Sequence, residues 1–444
     1  MIDISPEIFT IIMIVGILVG VLTGFPLGLV LGSLGLIIGF FIFGTNVAHL
    51  IYQRSIMVIT SYVILAVPLF VFMGNILERS GITERLYDAL YVWLGAFRGG
   101  LAIATVIIGT ILAACVGIIA ASITMLSLIA VPSMLKRGYS KSLAAGATCA
   151  GGTLGILIPP SVMLVIYGPV AGISVGKLFF GAFLPGFTLS LLYCSYIAIR
   201  SFLQPSVAPA IPVEERKIPF MKKTLTLAYA LVPPALLILS VLGSIFFGIA
   251  PPTEAAGIGA SAAVLLALAY RKLTWKGLAE AGLLTVKICG MIFLIFTMSQ
   301  AFVGVFVGAG GAQVVNEFIL ATPGGKWGAF AVVMFMVFIL GMFIDFLGII
   351  LIIVPIINPI IPVLGFDPLW FGIMICVNLQ MSFMTPPFAP GLFIAYGTIP
   401  KEWNVTMGDI IRGAIPFVIL IMVGLILCVI FPQIILWLPG QMIK

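Results

Sequence analysis

The sequence predicts an all-α polytopic membrane protein, and three observations carry that expectation: its composition, the length of its apolar runs, and the places where prolines interrupt them. Of 444 residues, 62% are hydrophobic and 8% charged, with a mean hydropathy of +1.31; an ordinary soluble domain carries roughly 25% charged residues. A span needs about 20 apolar residues, and lipid offers backbone groups no partners, so spans must be helices or a closed barrel. The apolar runs here are continuous rather than alternating, which selects helices.

A net charge of +7 spread over so long a chain cannot form a phosphate-tracking surface, so nucleic acid is not an expected partner. The excess instead fits the positive-inside bias. Cys115, Cys149, Cys194, Cys289, Cys376 and Cys428 lie in apolar segments without paired spacing, which supports neither a disulfide framework nor a zinc site. The N-terminus carries Asp3 and Glu7 and no basic residue before its first apolar run. It is therefore expected to be retained and to start outside.

Basic loops set the expected topology. Segment 200–223 with Arg216, Lys217 and Lys222, the group Arg271, Lys272 and Lys276, and the group Lys136, Arg137 and Lys141 are placed in the cytoplasm, with Arg79, Arg85 and Arg98. Parity then gives two spans within 226–270, interrupted at Pro251 and Pro252, and two crossings in 142–168 and 178–200. Segment 101–134 has basic flanks on both sides, so it must enter and leave on one side, as a re-entrant hairpin turning within 117–122. Non-helical backbone at that depth is tolerated only when buried in protein or lining a cavity.

The two halves of the chain match. Aligning Gly32 with Gly257, Pro132 with Pro355, Pro159 with Pro386, Gly168 with Gly397 and Gly181 with Gly413 gives offsets of 223 to 232 residues, the mark of an internal repeat. We divide it as 1–223 (scaffold spans, an amphipathic arm, hairpin 101–134, broken span 142–168, span 178–200, cytoplasmic loop) and 224–444 (scaffold spans, arm, hairpin 328–363, broken span 371–397, final span 410–438). Five crossings per copy is an odd number, so the second copy is inverted relative to the first. Inverted repeats with discontinuous helices are the signature of secondary transporters, with solute and coupling ions held near the midplane. The pairs Pro159 and Pro160, and Pro386 and Pro387, each with a hydroxyl beside them (Ser161, Thr385), interrupt helices and free carbonyls and half-helix ends whose dipoles attract ions.

Five stretches resemble one family: LAVPLFVFMGNILERSGITERLYDAL at 65–90, SLIAVPSMLKRGYSKSLAAGATCAGGTLGILIPPSVMLVIYG at 127–168, APPTEAAGIGA at 250–260, LGMFIDFLGIILIIVPI at 340–356 and TPPFAPGLFIAYG at 385–397. Together they are similar to the large membrane subunit of the TRAP (tripartite ATP-independent periplasmic) transporters, across essentially the whole chain. The resemblance implies sodium-driven import of organic acids across the bacterial inner membrane by an elevator motion, with sodium as coupling ion and no other cofactor. It implies two partners, a periplasmic solute-binding protein and a small membrane subunit, and a carboxylate substrate such as a C4-dicarboxylate or 2-oxo acid. Stretch 127–168 is most similar to the branch that carries 2-oxo and other small organic acids. The chain departs from many relatives at the first hairpin turn, where Val116 and Gly117 stand in place of a Ser-Gly pair. That leaves backbone carbonyls as the main ligands there.

Sodium is hard and prefers oxygen, as calcium and magnesium do. The first cation site is therefore expected between Gly117 and Ser122 of the hairpin turn and the break at Pro159, Pro160 and Ser161. The second is expected between Asp345 and Gly348 and the break at Thr385, Pro386 and Pro387. An intramembrane carboxylate such as Asp345 is costly, by roughly 3 kcal/mol, so it should face a partner or a cavity; it either contributes to the cation site or caps a helix. The repeat alignment sets it opposite Ser122. Asn378, Gln380 and Ser382 are candidate substrate neighbours, or else interhelical hydrogen-bonding groups.

The remaining polar residues have structural readings. Glu254 is expected to cap a helix near the outer surface, Lys287 to snorkel, and His49 to sit in an external loop without a role. Gly16, Gly20, Gly24, Gly28 and Gly32 recur every four residues and form a small-residue stripe for close helix approach, either within the chain or against the small subunit. A membrane enzyme is disfavoured, because one histidine and no HExxH or GxSxG motif leave little chemistry to assemble. The permease of an ATP-driven importer and an ion channel are the remaining rival classes; the broken, repeated helices argue against the first.

Overall fold

The computed structural model describes residues 5–117, 119–210 and 219–442; Asp3, Arg216 and Lys217 lie outside them, as does position 118 of the first hairpin turn. Among the described residues, seven helices are long and apolar enough to cross a membrane, and the protein is all-helical.

The first half begins with α1 (Pro6–Leu22) and α2 (Leu27–Phe43), two short apolar helices joined at Gly24 and Pro26. Then come α3 (Asn46–Ile59), α4 (Ala66–Arg79, entered through a 3-10 turn) and α5 (Ile82–Leu94), the amphipathic arm. The first hairpin is α6 (Gly100–Val116) and α7 (Ile119–Lys136). The first broken span is α8 (Lys141–Thr153) and α9 (Val162–Ala171), separated by a 3-10 turn and the proline pair. It is followed by α10 (Val175–Leu203).

The second half runs α11 (Phe220–Phe246), α12 (Pro252–Ala269), α13 (Trp275–Gly308), the arm α14 (Gly311–Leu320), and the second hairpin α15 (Gly325–Gly341) and α16 (Phe346–Ile357). After the short α17 (Ile360–Val363) come the second broken span, α18 (Pro368–Ser382) and α19 (Pro390–Thr398), then α20 (Met407–Ile430) and α21 (Gln433–Gly440).

Equivalent helices of the two halves exchange partners. Helix α4 packs on α12 and α13 on α2; α5 packs on α11 and α14 on α1; α8 packs on α20 and α18 on α10; α16 packs on α9 and α7 on α19. The N-caps match as well. Ser140 accepts the Leu143 amide at 3.3 Å and Asp367 that of Trp370 at 3.0 Å, while Ser174 caps α10 and Thr406 caps α20 in a capping box.

Direction follows from which ends meet. The amides of Gly99 and Ser140 donate to Ala208 and Val207 at 3.0 and 2.9 Å, and Leu101 N donates to the Tyr139 hydroxyl at 3.3 Å. The outer ends of the first hairpin and the C-terminus of α10 therefore gather at one pole. The start of α20 is at this pole too, because Lys141 Nζ donates to Asn404 O at 2.7 Å. At the opposite pole Asn358 Nδ2 reaches Ala171 O at 3.1 Å, just before α10 begins, and Trp370 Nε1 reaches Cys428 O at 3.1 Å, where α20 ends. Helices α10 and α20 thus run in opposite directions. The second hairpin closes its outer ends with rings instead, Trp327 and Phe330 packing on Phe366 and Trp370 at 5.3 to 6.4 Å.

Three expectations change, and one left open is resolved. The 46–59 region is a helix rather than an external loop, and His49 hydrogen-bonds Gln53 within it at 2.8 Å. The final span is two helices, α20 stopping at Phe431 before Pro432, because proline denies the next turn its amide. The glycine stripe, apart from Gly24 at the α1–α2 turn, is used within the chain. Gly16 and Gly20 of α1 face Leu34 and Val30 of α2, while Gly28 and Gly32 face Leu294 and Met298 of α13. Finally, Asp345 and Ser122 are not equivalent: Asp345 immediately precedes α16, whereas Ser122 is inside the first turn of α7.

Candidate functional site: two helix breaks closed by hairpin turns

At the first break, α8 ends at Thr153 and α9 begins after Ser161. The Ser161 hydroxyl does not cap α9. It donates back across the gap to Ile156 O at 2.5 Å, holding the interrupted backbone as a loop. The first hairpin docks on this loop through Gly117. This residue is left-handed (φ +65°), and a Cβ on it would stand 3.0 Å from Pro160 O and 3.4 Å from Val162 N. A glycine is favoured there on both counts, since an L side chain in that conformation costs about 1–2 kcal/mol and a Cβ would press against the Pro160 carbonyl. The structure therefore brings Gly117, Pro160 and Ser161 together as expected. Ser122 is fully buried nearby on α7 with no hydrogen-bond partner for its hydroxyl.

The second break lies between α18 and α19. The Thr385 hydroxyl donates to Met381 O at 2.8 Å, and the turn of the second hairpin brackets the gap with rings, Phe343 on Phe388 at 5.5 Å and Phe346 on Phe383 at 6.3 Å. Asp345 sits between those two phenylalanines as the half-buried N-cap residue of α16. Both proline pairs are joined by cis bonds.

Gly348 is placed differently from expectation. Its α-carbon faces Leu27 of α2 and Ile344, and it lines an apolar cleft of about 460 Å³ between α1, α13, α14 and the second hairpin. It belongs to the hairpin's back. The three expected substrate neighbours are turned inward. Asn378 donates to Met334 O of α15 at 2.6 Å, Ser382 donates to Leu379 O at 2.8 Å, and Gln380 donates to Thr153 and Tyr193 at 3.4 and 3.3 Å. Each lies in a packed helix interface, because α18 is buried on all sides. Sequence reasoning also missed Thr153, whose hydroxyl in the last turn of α8 meets both Gln380 and Met384 of the other half. Its only sequence signal is proximity to the proline pair.

Paired helix breaks, each faced by the turn of a helical hairpin, in an all-helical polytopic chain are the architecture of secondary carriers. Residues 11–434 match the family described as "Tripartite ATP-independent periplasmic transporter, DctM component". The chain is 33% identical over 384 residues to the C4-dicarboxylate TRAP transporter large permease protein DctM of Pseudomonas aeruginosa, covering 85% of this chain and 86% of that one. It is 28% identical to the ectoine TRAP transporter large permease protein TeaC of Halomonas elongata, covering 90% and 92%. The crystal structure of the Alcanivorax borkumensis YdaH transporter shares the fold, with a TM-score of 0.60 at 16% identity over 97% of this chain and 99% of that chain. The chain belongs to the TRAP transporter family as a large permease subunit: a multi-pass inner-membrane protein and a transporter component, not an enzyme.

Proposed function

We propose that this permease imports a small carboxylate, such as a C4-dicarboxylate or a 2-oxo acid, by sodium symport, and that the two helix breaks are its cation sites. The carrying observation is the docking of Gly117 against Pro160 O at the first break. The reading is supported by a hairpin turn that meets the Pro160 carbonyl beside the buried Ser161 hydroxyl, oxygens of the kind a hard cation takes. The second site comprises Asp345 with Thr385, Pro386 and Pro387. Asn378, Gln380 and Ser382 stiffen the wall between the sites.

The halves 1–223 and 224–444 act as an inverted repeat, supported by the exchanged contacts and the opposed α10 and α20. The scaffold consists of α1, α2, α4, α11, α12 and α13 with the arms. It is tied internally by Asn75 to Thr285 at 2.9 Å and by the Arg79–Glu280 ion pair at 2.6 Å. The hairpins and broken spans form the moving unit. Apolar clefts of about 460 and 620 Å³ lie on the two seams between the groups, at α1 with α15 and at α11 with α6, which favours sliding over locking. Sodium shifts the carrier only by binding one state better than the other.

Relatives named for C4-dicarboxylate and for ectoine support a delivered polar solute, handed over by a periplasmic binding protein to a complex completed by a small membrane subunit. The test is uptake into proteoliposomes holding both membrane subunits, with the binding protein outside. An inward sodium gradient should drive accumulation that a potassium gradient does not. Equal uptake under both gradients rejects symport, and single-channel current rejects a carrier.

A further inference from the structure

The two breaks touch. Thr153, the last residue of α8, and Gln380, in the final turn of α18, are both completely buried, and the Gln380 amide nitrogen donates to Thr153 Oγ1 at 3.4 Å and to the Tyr193 hydroxyl of α10 at 3.3 Å. Thr153 Oγ1 also lies 3.4 Å from Met384 Sδ, and its methyl would stand 3.5 Å from a Cβ on Gly391, just past the second break. From Thr153 the chain continues through the 3-10 turn to Ile156, whose carbonyl receives the Ser161 hydroxyl. From Gln380 it continues through Met381, whose carbonyl receives the Thr385 hydroxyl. A short path, buried up to the half-buried Thr385, thus joins the hydroxyl of one break to the hydroxyl of the other. The carbonyl oxygen of Gln380 is buried with no partner, so the carboxamide is held on its donor side alone and can turn when either helix end shifts.

We propose that Thr153 and Gln380 are positioning residues that couple the two breaks, so that a cation at one raises the affinity of the other. This rests on the reading of both breaks as cation sites. Backbone drawn around a cation at Thr385 displaces Met384 and Gln380, and through Thr153 it presets the 3-10 turn that Ser161 spans; linkage makes the effect reciprocal. Couplings of this kind typically amount to about 5- to 150-fold in affinity.

The probe is sodium alone: the thermal midpoint of the purified permease titrated with sodium chloride against choline chloride. The wild type should be stabilised by sodium along a sigmoidal curve with a Hill coefficient clearly above 1. Thr153→Val and Gln380→Met keep volume and remove the hydrogen bond. Each should bring the coefficient to about 1 and raise half-saturation about 5-fold or more, and the double variant should do no worse than either single, as expected for one shared interaction. Thr153→Ser keeps the hydroxyl and should retain the wild-type curve. A hyperbolic wild-type titration overturns the coupling while leaving the cation sites standing; no stabilisation by sodium at all overturns both. Unchanged coefficients in the Val and Met variants, additive losses, or equal loss in the Ser variant overturn the coupling, the last because packing alone then explains it.

Discussion

The two proline breaks are built from the same local device and end in opposite environments. Every residue from Gly151 to Tyr167 is buried, whereas Pro386, Pro387 and Phe388 are exposed, Phe388 by 44%. The first is closed by backbone, with Gly117 against Pro160; the second is bracketed by rings, with Asp345 between them in sequence. Local sequence therefore sets where a helix stops, and the surrounding helices decide whether the gap is sealed. The two breaks thus differ in exposure, one covered and one not.

The largest expected effect probes that asymmetry directly. In a background without the native cysteines, Phe388→Cys should react with a hydrophilic thiol reagent at least a hundredfold faster than Ser161→Cys, and saturating sodium should slow the first. Equal rates would remove the distinction between the breaks. Next comes Gly117→Ala. The left-handed backbone and the neighbouring Pro160 carbonyl should cost about 1–3 kcal/mol, seen as a lower thermal midpoint together with weaker stabilisation by sodium. Insertion of the methyl with no change in either would mean that the hairpin turn does not close this break.

Asp345→Asn separates two roles. Asp345 sits at the N-cap of α16 without a side-chain cap hydrogen bond, and asparagine suits that position as well as aspartate does, so stability without sodium should hold while the half-saturating sodium concentration rises several-fold; an unchanged sodium titration rejects Asp345 as a cation ligand. The smallest effect belongs to Arg79→Ala. Its ion pair with Glu280 is 38% and 46% exposed, and pairs of that kind contribute about 0–1 kcal/mol, so the thermal midpoint should move by little and sodium dependence by nothing.

Much of this architecture was legible in the chain. The prolines at 159, 160, 386 and 387 marked both breaks, and the basic flanks at Arg98 and Lys136 implied a hairpin that the Leu101–Tyr139 contact closes. What was not legible depends on tertiary facing. Helical spacing alone cannot say that Gly28 and Gly32 meet α13 rather than a partner chain, nor that Gly348 turns its back on the break to meet Leu27. Helix 46–59 was missed because its apolar content is interrupted by His49, Gln53 and Arg54, an amphipathic pattern that reads as a loop when only long apolar runs are sought. Asn378, Gln380 and Ser382 were found as polar residues near the midplane, but only the packing of α18 shows that their hydrogen bonds stay within the protein.

Equilibrium binding of radiolabelled sodium to the purified permease, in the presence of excess potassium, tests the two cation sites most directly. Saturable binding at two sites is expected, with Ser161→Ala and Thr385→Ala each removing one site and the double variant removing both. Absence of saturable binding above the potassium background, or a double variant that binds as much sodium at saturation as either single, would contradict a cation site at each helix break.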